Sequence, residues 1–513
     1  MRTRTTLLAA LLTAAISSLL ISQRAVAQGA TSLWDQHCLT CHGERGQGGG
    51  AGTRTLLTEP LRSIDLDRRF FDSIKQGVPD TAMTAFGETL SDKQIWGLVV
   101  HLRELQERDR RGKEGSPKPD SAGVFESKHH RYKVETVVPG GVDVPWSVDF
   151  LPAKEGEVSG RMLVTGRSGD LRVHTTGKAG GKLSEPVRGT PQVRNRGQGG
   201  LMDVAVHPDH AENGWVYLAY SEELKQGGRS AGMTTIVRGK LVERGAGGGG
   251  ASFAWTDNEV IFRAKPEHFT TGDLHFGCRI VFSEKQAAGG GGGGRRYLYF
   301  AVGERGRMEM AQDLTKPNGK VHRVWDDGKV PDDNPFVSSP VGAYSTIWSY
   351  GHRNPQGLAF DLDGVLWDTE HGPRGGDEVN RVERGANYGW PLVSYGINYN
   401  DAPFATPWAE DAQGAEGKVV VSMPVFHWTP SIGACGLDVS RGPMFAKWKG
   451  DLLAGGLSGE NVDRLRVRDG KVVEREELLH GRGRVRDVVC GPDGSVYVVL
   501  NDPDRVVRII EVE

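Results

Sequence analysis

Cysteine is scarce: five in 513 residues, at positions 38, 41, 278, 435 and 490. So few thiols cannot staple so long a chain, which excludes a disulfide framework and leaves the fold to a buried core. Charge of one sign is missing too, with 63 Lys+Arg against 65 Asp+Glu and a formal net charge of -2. Without a basic excess there is no footprint for nucleic acid, nor a single-signed field for a membrane surface. Beyond residue 27 no stretch is apolar enough to span a bilayer. Hydrophobic residues make up only 37 %. What is abundant is glycine, 72 residues without a G-X-Y period, about twice ordinary usage. That fits turn-rich β structure with flexible loops.

Residues 1–27 read as a secretory signal. Arg2 and Arg4 form a positive start, Leu7 to Ile21 an apolar core broken by Thr13, Ser17 and Ser18, and Ala25-Val26-Ala27 a small-x-small cleavage site before Gln28. The apolar core is short for a span, which needs roughly 20 residues. A periplasmic or secreted protein is expected, with no stable membrane span after cleavage.

Cys38-Leu39-Thr40-Cys41-His42 is a C-x-x-C-H run. Two thiols so spaced can form thioethers to the haem vinyl groups, and the adjacent His42 then lies under the iron. A zinc site would want a second ligand pair, and no further Cys follows before Cys278. Met83 is the one methionine between residues 28 and 111 and sits in a loop before the last helix of this segment. It is the candidate sixth ligand, with His37 and His101 as competitors and core filler as the plain alternative. Ser91 and Gln94 predict a capping box, and Leu90 a staple onto Ile95. Ile95, Leu98, Val99, Leu102 and Leu105 then recur at helical spacing. Residues 28–111 resemble a small class I cytochrome c, an all-α domain carrying haem c. Residues 112–131, charged with Gly, Ser and Pro, read as a tether.

From residue 132 onward the pattern changes to a repeated kernel of apolar strand, Pro-Asp or Asp-Gly turn, and second strand. Copies begin near Trp146, Leu201, Arg279, Gly357, Gly436 and Val485, at intervals of 55, 78, 78, 79 and 49 residues. This predicts an all-β six-bladed propeller over 132–513, preceded by the small helical domain. The glycine runs at 247–250 and 289–294 read as loops without chemistry.

Four clusters fall at kernel edges. His275 precedes the third kernel and Glu304 ends it; a carboxylate beside an imidazole fixes its tautomer and raises its basicity. Gly351 to Gly357 contains Arg353 and Asn354. Glu370 to Glu378, followed by Asn387 to Pro391, sets Gly and Pro among acidic residues, which suits a hard cation. Arg484 and Arg486, two apart on a strand, point the same way and could grip a polycarboxylate.

The strings GQGGLMDVAVHPD, HFGCRIVF, GHRNPQGLAF, EHGPRGGDEVN, NYGWP and RVRDVVCGPDG together resemble the soluble quinoprotein glucose/sorbosone dehydrogenase family, which includes the aldose sugar dehydrogenases. The resemblance implies a propeller that holds pyrroloquinoline quinone (PQQ) and calcium on its top face. It makes His275 the catalytic base and Glu304 its partner. Gln198, Arg353, Asn354, Arg484 and Arg486 become quinone contacts. Gly372 and Pro373 become carbonyl ligands of a catalytic calcium, Asp377, Glu378 and Tyr388 a structural calcium site, and Trp428 a substrate border. Three departures stand out: no lysine in residues 456–460, Cys278 beside the base where glycine is expected, and His371 where some members carry glutamine. Cys278, Cys435 and Cys490 are an odd set, either one bridged pair or buried thiols.

The expected activity is oxidation of an aldose at C1 to the lactone, with electrons passed from PQQ to the fused haem and on to a downstream acceptor. Two other readings are carried: a PQQ-dependent dehydrogenase of sorbosone or another alcohol or aldehyde, and a propeller that binds carbohydrate without oxidising it, beside an electron-transfer cytochrome.

Overall fold

The computed structural model of the chain describes residues 29–50, 53–57, 64–153, 160–175, 181–244, 252–286, 294–408, 410, 412–414 and 417–513. The signal read at 1–27, the glycine run 247–250 and residues 289–293 of the second run lie outside them. The chain divides into two compact units: Met1–Gln106 with Ile397–Phe404, and Glu107–Gly396 with Ala405–Glu513.

The first unit is helical. Helix α1 spans Ala30–His37, α2 Leu39–His42, α3 Ile64–Gln76 and α4 Asp92–Glu114. The capping box forms at the start of α4: the Ser91 amide donates to Gln94 Oε1 at 3.0 Å, and the Gln94 amide to Ser91 Oγ at 3.4 Å. Such reciprocal caps satisfy two of the helix's orphan donors. The predicted stripe Ile95, Leu98, Val99, Leu102 and Leu105 is buried throughout. Arg103 on the same helix pairs with Asp67 of α3 at 2.5 Å, both buried.

The second unit is the six-bladed propeller. Five four-stranded antiparallel sheets follow one another along the chain, and a sixth joins the last three strands to Arg131–Val138 and Phe125–Glu126. That sixth sheet closes the ring with strands from opposite ends of the unit, Val134 facing Ile509 in register. Within 112–131, read as tether, α4 runs to Glu114 and Phe125–Glu126 pairs with Arg131–Tyr132. The first strands of blades 1 to 6 are Pro145–Phe150, Leu201–Val206, Ile280–Phe282, Pro355–Phe360, Ala434–Val439 and Arg484–Cys490. Each begins within two residues of its predicted kernel. These six strands pack side by side around the ring.

What holds the blades together is apolar. Six buried clusters fill the six seams between neighbouring blades: Leu163 with Val204, Tyr217 with Phe300, Tyr299 with Leu358, Val379 with Val439, Leu453 with Val498, and Val499 with Val164. Burying each such side chain contributes about 1.5–3 kcal/mol. Five of the six first strands carry a register shift close to their beginning, at Pro145/Val148, Leu201/Asp203, Pro355/Gly357, Ala434/Leu437 and Val485/Asp487. Bulges of this kind re-aim side chains and are frequent beside active sites. No helix among the described residues is long and apolar enough to cross a membrane.

Candidate active site at one end of the propeller

The loops that enter the first strands converge with those that leave the second strands. His275, just ahead of Ile280–Phe282, meets Glu304, just after Tyr297–Val302. Its Nδ1 is hydrogen-bonded to Glu304 Oε1. The backbone is specified as tightly as the ring. The His275 amide donates to Gln198 Oε1 at 2.7 Å, and the Arg305 amide to the His275 carbonyl at 3.2 Å. His275 adopts φ +50 and Gly277 φ +68. A Cβ on Gly303 would sit 2.3 Å from the His275 carbonyl oxygen, so glycine is required there. Burial lowers the His275 pKa from its usual 6.5; Glu304 opposes this and Arg353 adds to it. The ring is therefore neutral near pH 7. With Nδ1–H directed at the carboxylate, Nε2 keeps its lone pair.

Three guanidinium groups face the same space. Arg353 is buried, donates from Nη1 to the His371 carbonyl at 3.2 Å, and lies 5.2 Å from the Trp390 ring centroid. Its Nε is buried without a partner. Arg486 is half-buried over Trp146 at 4.1 Å, with Nε 3.4 Å from Asn501 Oδ1. Arg484 begins the same strand. Among the described residues, none of the three is ion-paired. Buried cations held without counter-charge are costly unless an anion joins them. Crowding lowers the Arg486 pKa through burial, with Arg279 and Arg484 adding to it. Asn354 Oδ1 accepts from the Gly277 amide at 3.0 Å.

The loop Glu370–Glu378 forms one wall of a cleft that also holds Arg353, Tyr388 and Trp390. Gly372 and Pro373 line it. Asp377 is already satisfied by protein: it accepts from the Gly372 amide at 2.9 Å, Ser431 Oγ at 2.6 Å and the Ala434 amide at 2.8 Å. The Tyr388 hydroxyl is likewise taken, donating to the Arg381 carbonyl and accepting from the Glu383 amide. Glu378 stands differently. Burial raises its pKa well above the usual carboxylate range, and Glu370 and Asp368 raise it further. Glu370 and Asp368 meet His352, each 3.2 Å from its Nδ1, and the ligand atoms of these three lie within 4.8 Å of one another. Buried Asp368 and Glu370, half-buried Glu378 and one imidazole have the charge of a site for a hard cation. Asp368 and Glu370 lie two apart on the strand Leu366–Glu370, and His352 lies in the loop ahead of Pro355–Phe360. The three were not grouped in sequence because 16 residues separate His352 from Asp368 and only the fold brings them together. Trp428, expected at the substrate border, is 0 % exposed in the seam between blades 4 and 5, and its indole donates to Asp463 at 2.7 Å. Its polar edge is used inside the core, so it belongs to the packing.

Arg279 and Gln356, quoted in motifs but given no role, organise the floor. Arg279 is buried. Its Nη1 lies 2.9 Å from both Asp203 and Asp487, its Nε donates to the Gln356 carbonyl at 2.6 Å and its Nη2 to the Arg486 carbonyl at 2.8 Å. One side chain thus ties blade 3 to blades 2, 4 and 6. Gln356 Nε2 donates to the Gly277 carbonyl at 2.9 Å, while its Oε1 is 4.0 Å from Cys278 Sγ and 3.8 Å from Cys435 Sγ. No disulfide joins any of the five cysteines, and Cys278 and Cys435 are buried.

In the helical unit, the His42 amide donates to the Cys38 carbonyl at 2.9 Å, which winds the C-x-x-C-H run into one helical turn. Both thiols and the His42 ring are half-buried. His42 Nδ1 is buried without a partner. Trp34 lies 6.3 Å from the His42 ring and 5.4 Å from His101; His37 packs on Phe86 at 5.7 Å. Met83 is half-buried in a turn where its carbonyl accepts from the Val78 amide at 3.0 Å.

Residues 142–508 match the family described as Glucose / Sorbosone dehydrogenase, and residues 25–102 match Cytochrome C oxidase, cbb3-type, subunit III. The aldose sugar dehydrogenase YliI of Escherichia coli (strain K12) is 40 % identical over 363 residues, covering 70 % of this chain and 88 % of its own. A crystal structure of glucose dehydrogenase aligns with a TM-score of 0.62 at 37 % identity, covering 74 % of this chain and 100 % of the other. The PQQ-bound form of aldose sugar dehydrogenase from Streptomyces coelicolor aligns with a TM-score of 0.55 at 26 % identity, covering 74 % and 98 %.

Proposed function

Since the chain belongs to the glucose/sorbosone dehydrogenase family and carries an N-terminal cytochrome c domain, we propose that it oxidises the C1 hydroxyl of an aldose to the lactone, using PQQ and calcium and its own haem c. One observation carries this reading: a buried, carboxylate-paired imidazole opens onto three guanidinium groups that, among the described residues, have no carboxylate partner. A flat tricarboxylate fits that donor set, by charge and by the bidentate geometry of guanidinium.

When bound, PQQ supplies the electrophile that accepts a hydride from the sugar C1. Arg484 and Arg486 would grip its carboxylates; Arg353, Asn354 and Gln198 would make the remaining contacts. The Gly372 and Pro373 carbonyls would hold calcium, and Glu378 would add a carboxylate to the cation site of His352, Asp368 and Glu370. His275 Nε2 takes the proton of the sugar hydroxyl, and the imidazolium so formed is held by Glu304. Cys38 and Cys41 would attach the haem, and His42 and Met83 would ligate its iron. The protein works outside the cytoplasm and passes electrons to a further acceptor.

The test is anaerobic spectroscopy of the haem-loaded protein with PQQ, Ca²⁺ and a panel of aldoses. Haem reduction that needs sugar, quinone and calcium together is the expected result. Bound quinone with no reduction by any aldose would remove the sugar reading. Absence of quinone binding would leave a carbohydrate-binding propeller.

A pH profile follows from the environment of His275. The base must be neutral, and burial depresses its pKa below 6.5. Activity therefore rises with pH and reaches its plateau at a pH below that of a free imidazole. kcat/KM measured from about pH 5 to 8 checks this. An acid limb centred above 6.5 would mean that another group carries the proton.

A further inference from the structure

His371 is left without a task in this chemistry, yet its placement is tightly specified. Its amide donates to the Asn354 carbonyl at 3.3 Å, and its carbonyl accepts from Arg353 Nη1 at 3.2 Å. The residue thus hangs from two of the proposed cofactor contacts. It lines the same cleft as Arg353, Gly372 and Pro373. The charged and titratable groups that act most strongly on its ring are Arg353, His275, Arg486 and Arg484. In the midst of these donors, the ring Nε2 is buried and has no hydrogen-bond partner. Buried ring nitrogens are almost always satisfied in a finished fold. A nitrogen so placed calls for an acceptor that the protein itself does not provide.

We propose that His371 is a further cofactor-binding residue, its Nε2–H donating to a carboxylate oxygen of the bound quinone. This rests on the PQQ reading. The arginines supply charge from long side chains that can swing. The imidazole supplies one N–H in a fixed direction from a short, rigid arm. It therefore sets the orientation of the cofactor more than its total electrostatic attraction.

The experiment is calorimetric titration of PQQ into the full-length, haem-loaded, quinone-free protein in the presence of Ca²⁺. His371→Ala is expected to weaken PQQ binding by about 10- to 100-fold, the range for a lost hydrogen bond to a charged group. His371→Gln, whose side-chain amide restores an N–H donor, is expected to bind within about threefold of the parent. Thermal unfolding of quinone-free His371→Ala should match or exceed that of the parent, because no protein partner is lost. Equal PQQ affinity for parent and His371→Ala overturns the inference and leaves the PQQ reading standing. A quinone-free His371→Ala that melts markedly earlier, with no rescue of binding by glutamine, makes His371 a packing residue and also overturns it. A parent protein that takes up no PQQ overturns the underlying reading, and the inference with it.

Discussion

His275→Asn lowers kcat/KM by about 10²- to 10⁴-fold, the contribution expected of a positioned general base, while quinone binding is retained. Asparagine is the informative substitution because residue 275 sits at φ +50. Asn tolerates the left-handed region, whereas Ala there adds about 1–2 kcal/mol of backbone strain that would mix folding with chemistry. The asparagine side chain is also too short to place a base where Nε2 lies. Glu304→Gln should fall between the two. The amide oxygen can still accept from Nδ1–H, so the tautomer survives, but the charge that stabilises the imidazolium is gone. Glu304 raises the His275 pKa against the effect of burial. Removing its charge should therefore shift the acid limb of the pH profile further down. Steady-state kinetics with a PQQ-saturated enzyme provides the measurement. Turnover of His275→Asn within about tenfold of the parent would take the imidazole out of the proton transfer.

Arg279→Met destabilises the propeller by about 3–5 kcal/mol, the usual loss when one member of a buried ionic cluster is removed. The large effect comes from what is left behind. Asp203 and Asp487 share the guanidinium at 2.9 Å each, and without it two buried carboxylates face one another. Asp487 already has its pKa pushed up to about 7 by burial, despite Arg279. In the variant it would have to take up a proton. Two tests separate this from simple loss of packing. Arg279→Met with Asp203→Asn and Asp487→Asn should recover much of the stability, since no unpaired charge remains. Arg279→Lys should be less damaging than Met, as it keeps charge but cannot reach four partners. Urea unfolding followed by tryptophan fluorescence of the propeller reads all three. A loss below about 1 kcal/mol for Arg279→Met would mean that the apolar seams alone hold the ring.

Much of the fold is written in short-range pattern. Each kernel begins within two residues of a first strand because alternation and turn residues are local properties that pleat geometry requires. The cap of α4 is legible for the same reason, since Ser91 and Gln94 lie three residues apart. Ring closure is not local. Arg131–Val138 lies in and just beyond the charged stretch read as tether, and only its pairing with the last strand makes it part of a blade.

The candidate site divides in the same way. His275 and Glu304, Arg353 and Asn354, and Arg484 and Arg486 stand at kernel edges where loops of a propeller gather, so their chemistry could be read from the chain. The i, i+2 argument for Arg484 and Arg486 was incomplete, because a bulge falls between Val485 and Asp487 and re-aims the second arginine onto Trp146. Asp377 and Trp428 carried motif positions, but Ser431, Ala434 and Asp463, all distant in sequence, take up their polar atoms.

The sequence by itself determined the helical segment ahead of a six-bladed propeller, the C-x-x-C-H run and the residues with acid and base character. These depend on spacing along one chain. Only the tertiary structure decided which of those groups stay free for chemistry. It assigned Arg279 to four blades at once, gathered His352, Asp368 and Glu370 into one buried cluster, and left the Nε2 of His371 without a partner. The physical reason is that hydrogen-bond satisfaction and burial are properties of contacts between blades. Those contacts join residues tens to hundreds of positions apart, and no local pattern records them.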